Sequence, residues 1–462
     1  MAVEQYDAIV IGAGQSGGPL TSALTANGLR TALIERSKVG GTCVNWGCTP
    51  TKTMIASADV AHAVDRARDY GVNVDSYGVE LSVVRGRKRD VVDMFHDGSR
   101  GALESTDGLD ILMGEATFTG PKTVTVALNQ GGTRELTAEK IFINTGTETA
   151  IPPVDGIEDV PYLTSTSIME LDEVPEHLIV VGGGYIGLEF AQMFRRFGAA
   201  VSIVQRGPQL LRSEDPDIAD EVYKVLVNEG IGVHLNASLE SVSGSASGEV
   251  SARVIGENGE FHLPGSHILI ATGRRPSTRA LSPENAGIEV DERGFVPVNG
   301  RLETNVPGVW AMGDVNGGAA FTHISYDDYR ILTNNLFGDG NATADGRVVP
   351  WVVFIDPELA RVGMNEKEAM EAGLTVRTAS MPMEGVARAI ESDKTEGVMK
   401  AVIDAESDRI LGATVFGMRG GEVMSILQLA IITRTPYTVL RDAPFAHPTV
   451  AESLNNLFSS VE

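Results

Sequence analysis

The sequence predicts an α/β protein: one strand–glycine turn–helix–strand unit written twice, followed by a third, α+β module. Three observations carry this. The first unit runs from the apolar strand Ala8–Ile11 through Gly12-Ala-Gly14-Gln-Ser-Gly17 and a helix-like stretch to Ala26, then into the strand Thr31–Ile34, which ends in Glu35. The second repeats the order with Leu178–Val181, Gly182-Gly-Gly184-Tyr-Ile-Gly187, a helix through Phe197 and the strand Ala200–Val204. Third, the linker-like stretch Gly338–Gly346 precedes strand-like runs (Val352–Ile355, Val398–Val402, Ile410–Phe416) and helical ones (Glu422–Thr433, Ala451–Phe458).

Strand, glycine turn, helix is the context that a dinucleotide fingerprint requires. The glycines make the turn and let a pyrophosphate reach the helix N-terminus, where free N–H groups and the helix dipole favour anions. Two Rossmann-like dinucleotide-binding domains are therefore expected, and 462 residues suit two to four domains. Each unit closes alike, with Ile143-Asn-Thr145-Gly146 and Ile270-Ala-Thr272-Gly273; Pro152-Pro153 and Arg275-Pro276 follow as junctions. The expected boundaries are 1–150 with 280–346 for the first domain, 151–279 for the second and 347–462 for the third. A later turn, Val309-Trp-Ala-Met-Gly313-Asp314, sets an acid just past a strand.

The two copies differ where it matters. Twenty-three residues after Gly12 stands Glu35, a carboxylate able to hold a ribose 2′-hydroxyl. Twenty-three residues after Gly182 stands Gln205, with Arg206 beside it and Arg212 beyond. A carboxylate repels a 2′-phosphate, whereas a guanidinium binds it through charge-assisted hydrogen bonds. The first site suits a cofactor with a free ribose; the second suits NADPH over NADH.

Cys43 and Cys48 are the only cysteines, within Gly-Gly41-Thr42-Cys43-Val-Asn-Trp-Gly-Cys48-Thr-Pro-Thr-Lys52. A dithiol beside a lysine and behind a nucleotide-binding unit points to electron transfer through sulfur. Thr42 reads as a helix cap, and a helix N-terminus stabilises a thiolate. Positions i and i+5 of a regular helix point about 140° apart, so a bond between the two sulfurs needs a distorted helix start. Gly47 and Pro50 supply the means.

Composition excludes other classes. A net charge of −25 disfavours nucleic acid and anionic membranes as partners. Neither a signal-peptide pattern nor an apolar run of spanning length is present, so the expected location is cytoplasmic. The basic run Arg85-Gly-Arg-Lys-Arg89 reads as a solvated face. No metal site is expected; Met381, Met383, Met418 and Met424 read as core filling.

With these motifs, and His447-Pro-Thr-Val-Ala-Glu452 near the C-terminus, the chain resembles the class I pyridine nucleotide-disulfide oxidoreductases of the glutathione reductase, lipoamide dehydrogenase and mercuric reductase type. The resemblance covers nearly its whole length. It implies FAD in the first site, with Gly12, Gly14, Gly17, Glu35, Gly41, Thr42, Thr145 and Gly146 around it and Asp314 on the ribityl chain. Gly182, Gly184, Gly187, Arg206, Arg212 and Gly273 fall to NADPH, and Tyr185 to the gate of the nicotinamide pocket. It implies a homodimer built through the last module. Cys43 becomes the interchange thiol and Cys48 the charge-transfer thiolate. Lys52 pairs with Glu189 near the flavin, and His447 with Glu452, donated across the interface, forms the acid–base pair. The chemistry agrees: disulfide cleavage needs an attacking thiolate and a proton for the departing sulfur. An imidazole, with an ordinary pKa near ~6.5, can supply that proton, and a carboxylate orients it.

The family pattern is not met everywhere. Gln205 stands where lipoamide dehydrogenases carry an acid. Ser22 stands where glutathione reductases keep an arginine for the glutathione carboxylate. The C-terminus, Phe458-Ser-Ser-Val-Glu462, has no second cysteine pair. The expectation is an NADPH-dependent reductase of a small disulfide such as bis-γ-glutamylcystine. Reduction of mercury or copper ions is the alternative, since thiolates bind soft metals. A flavin-dependent redox sensor and a lipoamide-dehydrogenase-like component follow. Trp46, inside the cysteine loop, either narrows the substrate cleft or packs against the partner subunit.

Overall fold

A computed structural model describes residues 3–244 and 249–461. The chain divides into two compact units. One gathers the chain up to Met54 with Ser82–Ala150 and Gly273–Arg347; the other gathers Ile55–Leu81, Ile151–Thr272 and the chain from Val348 on.

In the first unit a parallel sheet runs in the order Leu109–Gly120, Thr31–Glu35, Glu4–Ile11, Thr133–Ile143, Val309–Ala311. Strands buried on both faces read as continuous apolar runs. Ala8, Ile9 and Val10 are fully buried. Alternation sends Ile9, Ile34 and Ile141 into one core and Val10, Leu33 and Phe142 into the other, the latter with Leu20 and Leu24 of the helix Gly17–Ala26. Leu109–Gly120 then leaves its parallel neighbour and pairs antiparallel with Thr123–Leu128, which returns to Thr133–Ile143.

The second unit holds a parallel sheet in the order His267–Ile270, His177–Val181, Ala200–Val204, Gly232–His234. An antiparallel ribbon of Ser238–Gly244, Val250–Gly256 and Gly259–Gly265 accompanies it. The C-terminal part is a five-stranded antiparallel sheet ordered Pro350–Val353, Glu358–Gly363, Ile410–Gly417, Val398–Asp404, Val376–Pro382. The helix Gly420–Ile432 sets Val423 and Leu427 into the same core as Met399 and Val415. Met383 and Met424 are core residues there, with Met381 and Met418 packed against them.

One reading changes. Arg85–Arg89 lies on the helix Leu81–Glu104, and Lys88 is only 3% exposed. Helical spacing puts position 88 on the face of buried Leu81 and Val92, so the basic run is not wholly solvated.

Among described residues of the second unit, no helix is long and apolar enough to cross a membrane, and the same is true of the first. Arg196 of the helix Tyr185–Phe197 is 4% exposed and pairs with Asp59, Glu229 and Asp356 at 3.1, 2.9 and 3.0 Å. Removing it strands acids that it neutralises. Arg196→Ala is expected to cost about 3 kcal/mol in urea unfolding; a loss below about 1 kcal/mol, the value of an exposed pair, would show that solvent already screens the cluster.

Candidate active site

The two cysteines lie on two different helices. Gly40 takes a left-handed φ of 95° and opens the short helix Gly41–Asn45, which carries Cys43. That corrects the cap: Gly40 holds the position, and Thr42 sits exposed inside the helix. The chain breaks at Trp46-Gly47 and restarts as Cys48–Asp65. A Cβ at Gly47 would stand 2.9 Å from the Thr42 carbonyl oxygen and 3.1 Å from the Cys43 Cα, so only glycine permits this fold-back. The break removes the 140° divergence. No disulfide joins the two cysteines; Cys43 is half-buried and Cys48 exposed.

The Cys43 thiol is pushed far above its ordinary range, first by its hydrogen bond to Cys48 and then by burial. The Thr322 hydroxyl opposes this: it hydrogen-bonds Cys43 and stands 3.5 Å from Cys48 Sγ. Thr322 begins the 16-residue helix Thr322–Phe337. Sequence reasoning missed it; a threonine opening a helix eight residues past Asp314 was the available signal. Lys52 lies half-buried one turn beyond Cys48, on the same helix face.

The first glycine turn is shaped to be filled. A Cβ at Gly12 would meet the Asn144 carbonyl oxygen at 2.2 Å, at Gly17 the Gly12 oxygen at 2.0 Å, and at Gly41 the Gly14 Cα at 2.7 Å. Asn144 Nδ2 donates to the Gly12 oxygen, and Ser16 Oγ donates to Asn144 Oδ1. Glu35 accepts from the Ala13 N–H at 2.9 Å and the Ser37 N–H at 2.8 Å, which aims its carboxylate along the turn. Thr145 Oγ1 is buried without a hydrogen-bond partner among the described residues, and Gly146 follows at a φ of 64°. Asp314 accepts from Thr147 Oγ1 at 2.9 Å. A close-approach cradle, an oriented acid and an orphaned hydroxyl fit a dinucleotide such as FAD.

The second turn repeats the geometry with a different group. Cβ atoms at Gly182 and Gly187 would stand 2.4 Å from the Ala271 oxygen and 2.1 Å from the Gly182 oxygen, while Gly184 faces open space. Here the Gly183 N–H donates to the Gln205 side-chain oxygen at 2.9 Å, as Ala13 does to Glu35. Arg206 and Arg212 are exposed, and neither joins an ion pair among the described residues. Gly273 adopts a φ of 134°. Tyr185, the first residue of the helix, is 41% exposed. These residues fit a second dinucleotide. Glu189, on that helix, is buried and accepts from the Phe354 N–H at 2.9 Å, a partner the sequence did not announce. At the C-terminus, His447 Nδ1 stands 2.9 Å from Glu452 Oε2, and the imidazole is otherwise exposed. Among the described residues no cluster of three or more acidic, histidine or cysteine side chains is placed to hold a metal.

Replacing Thr322 isolates its effect on sulfur. Thr322→Val should raise the Cys43 pKa by up to about one unit, the worth of one hydrogen bond, and shift the pH profile of alkylation of the reduced protein upward. Thr322→Ser should restore it; an unmoved profile in the valine variant would assign the hydroxyl no influence on the thiol.

Comparison with known proteins agrees with this geometry. The family model for pyridine nucleotide-disulphide oxidoreductases matches residues 6–328, and the model for their dimerisation domain matches residues 349–458. The chain is 39% identical, over 464 residues and the full length of both, to the probable pyridine nucleotide-disulfide oxidoreductase RclA of Escherichia coli. It is 34% identical to the mercuric reductase of Bacillus cereus over 452 residues, 97% of this chain and 70% of that one. It superposes on the solved Cu(II) complex of the HOCl-induced flavoprotein disulfide reductase RclA with a TM-score of 0.89, covering 99% of each chain. The chain belongs to the class I pyridine nucleotide-disulfide oxidoreductases, FAD- and NAD(P)H-dependent flavoenzymes that dimerise through their C-terminal domain.

Proposed function

We propose that this flavoenzyme uses NADPH to reduce the disulfide of a low-molecular-weight thiol, with bis-γ-glutamylcystine as the representative substrate. In this reading residues 1–150 and 280–346 hold FAD, 151–279 hold NADPH and 347–462 form the dimer. The observation that carries it is the His447–Glu452 pair beside a C-terminal helix, at 2.9 Å and open to solvent. A proton shuttle of that kind serves sulfur leaving groups.

The thiol chemistry follows from the proton held on Cys43. A base must take it before Cys43 can attack, and the partner subunit's His447 is the group proposed to do so. The Cys43 thiolate attacks one substrate sulfur, forming a mixed disulfide and releasing a thiolate that takes the proton back from the imidazolium. The Cys48 thiolate then attacks the Cys43 sulfur, which releases the second product as a thiolate that takes a proton from solvent, and leaves Cys43–Cys48 oxidised. Bound FAD supplies the two electrons, taken from the nicotinamide, that return this bridge to the dithiol. Glu452 orients the imidazole. Lys52 and Glu189 are proposed to pair near the flavin, Asp314 to hold its ribityl chain, and Tyr185 to gate the nicotinamide pocket.

A second reading is reduction of a soft metal ion by the same dithiol. It is supported by the printed names of the relatives, a mercuric reductase and a flavoprotein disulfide reductase solved as a Cu(II) complex. NADPH oxidation with a panel of disulfides, against mercury and copper ions with thiol supplied, separates the two. His447→Asn should lower kcat with the disulfide by about 10²-fold or more and leave metal reduction largely intact. Equal damage to both activities removes the distinction.

The second cofactor is testable on its own. Arg206→Ala and Arg212→Ala should each raise KM for NADPH about tenfold, by loss of a charge-assisted hydrogen bond, with KM for NADH unchanged. Equal changes with both nucleotides would place the 2′-phosphate elsewhere.

A further inference from the structure

The loop that carries Arg212 is held from an unexpected side. Leu211, just before the arginine, has a φ of 47°, a left-handed conformation costly for a branched residue. Its N–H donates to the Gly183 oxygen at 2.9 Å. Gln205 Nε2 donates to the Gln209 oxygen, and Gln209 Nε2 donates to the Glu214 oxygen. Beyond the arginine, Asn365 Nδ2 donates to the Ser213 oxygen at 2.8 Å, and Arg361 Nη1 reaches the same oxygen at 3.5 Å. Asp215 accepts from the Glu366 N–H at 3.2 Å and pairs with Lys400 at 3.0 Å. Strand Glu358–Gly363 and helix Glu366–Glu371 of the C-terminal sheet thus grip the nucleotide loop.

Glu214 sits at the centre of this grip. Its side chain is 0% exposed and lies 3.5 Å from Arg361 Nε, yet the contact closes no hydrogen bond. Glu214 Oε2 and Arg361 Nε are both buried without a hydrogen-bond partner among the described residues. A fully buried carboxylate with an unfilled oxygen is a poor structural choice unless it does something. The other charges facing it are Asp215 on its own loop and Glu368 on the helix, with Lys400 neutralising Asp215.

We propose that Glu214 is a positioning residue of the second nucleotide site: through Arg361 it lets the C-terminal module hold the Arg212 loop, so that nucleotide affinity depends on whether its carboxyl carries a proton. Burial, opposed by Arg361 and aided by Asp215 and Glu368, raises its pKa to about 7. Above that pH the ionised carboxylate draws Arg361 onto the loop. Below it the neutral acid gives up its pull on the guanidinium, which stays with Glu368 at 3.3 Å, and the loop loosens.

This rests on the second site taking NADPH, and the arginine variants above test that separately. If they leave the preference for NADPH untouched, the cofactor reading fails; if they respond and Glu214 does not, only this inference fails. The experiment compares KM for NADPH in the full-length holoenzyme and in Glu214→Gln at pH 6 and pH 8, with flavin content and melting temperature as checks on folding. The amide mimics the protonated acid. The variant should match the unmodified enzyme at pH 6 and bind NADPH about fivefold more weakly at pH 8, with kcat unchanged. Ionisation of the 2′-phosphate affects both proteins and cancels in the ratio. Should the amide variant not fold, Arg361→Lys, which keeps the charge and gives up the loop contact, must raise KM at pH 8 in the same sense. A ratio of one at both pH values, an equal ratio at both, or a fall of kcat alongside the rise in KM would overturn the assignment.

Discussion

Two sulfurs five residues apart come within hydrogen-bonding reach here because the helix that would have separated them breaks between them. Gly47 makes the break possible, since any side chain would collide with Thr42 and with the Cys43 backbone. The short helix before it and the long helix after it then present both thiols to one place. The rest of the redox chemistry inherits this constraint. The hydrogen bond to Cys48 and the burial of Cys43 push the Cys43 thiol up, so the two sulfurs are not equivalent. The Thr322 hydroxyl, supplied from a distant part of the chain, moderates the imbalance.

The two glycine turns repeat one backbone solution with different side chains beside it. In both, a residue at the far end of the second strand, Glu35 as its last residue and Gln205 as the first beyond it, accepts a hydrogen bond from the turn, from Ala13 and Gly183 respectively. That bond is structural and identical in the two copies. What changes is the charge at that position: a carboxylate in the first, a neutral amide followed by Arg206 in the second. The substitution keeps the turn intact while removing the repulsion that a phosphate on the ribose would meet.

The C-terminal sheet does more than offer a dimer surface. Its acidic and basic side chains reach back to the nucleotide-binding part of their own unit, at Ser213, Glu214 and Asp215. Lys400 illustrates the electrostatics. Burial alone would lower its pKa, but hydrogen bonds to Glu366, Asp217 and Asp215 hold it well above its ordinary range. Three acids drawn to one buried ammonium fix the start of the helix Pro216–Asn228 against the sheet. In a chain of net charge −25, such scarce buried cations organise the acids around them.

The sequence by itself determined the α/β class, the two glycine turns, the dithiol and the His447–Glu452 spacing. Each is a local pattern: apolar runs set by burial on both faces, glycines demanded by close backbone contact, and a histidine five residues from an acid. Tertiary structure decided what composition left silent. Lys88 is buried because helical spacing aligns it with Leu81 and Val92, which a run of basic letters does not reveal. Thr322 lies 274 positions from Cys48, and Arg361 lies 147 from Glu214. Contacts of that separation arise only when sheets bring remote segments together, and no periodicity along the chain records them.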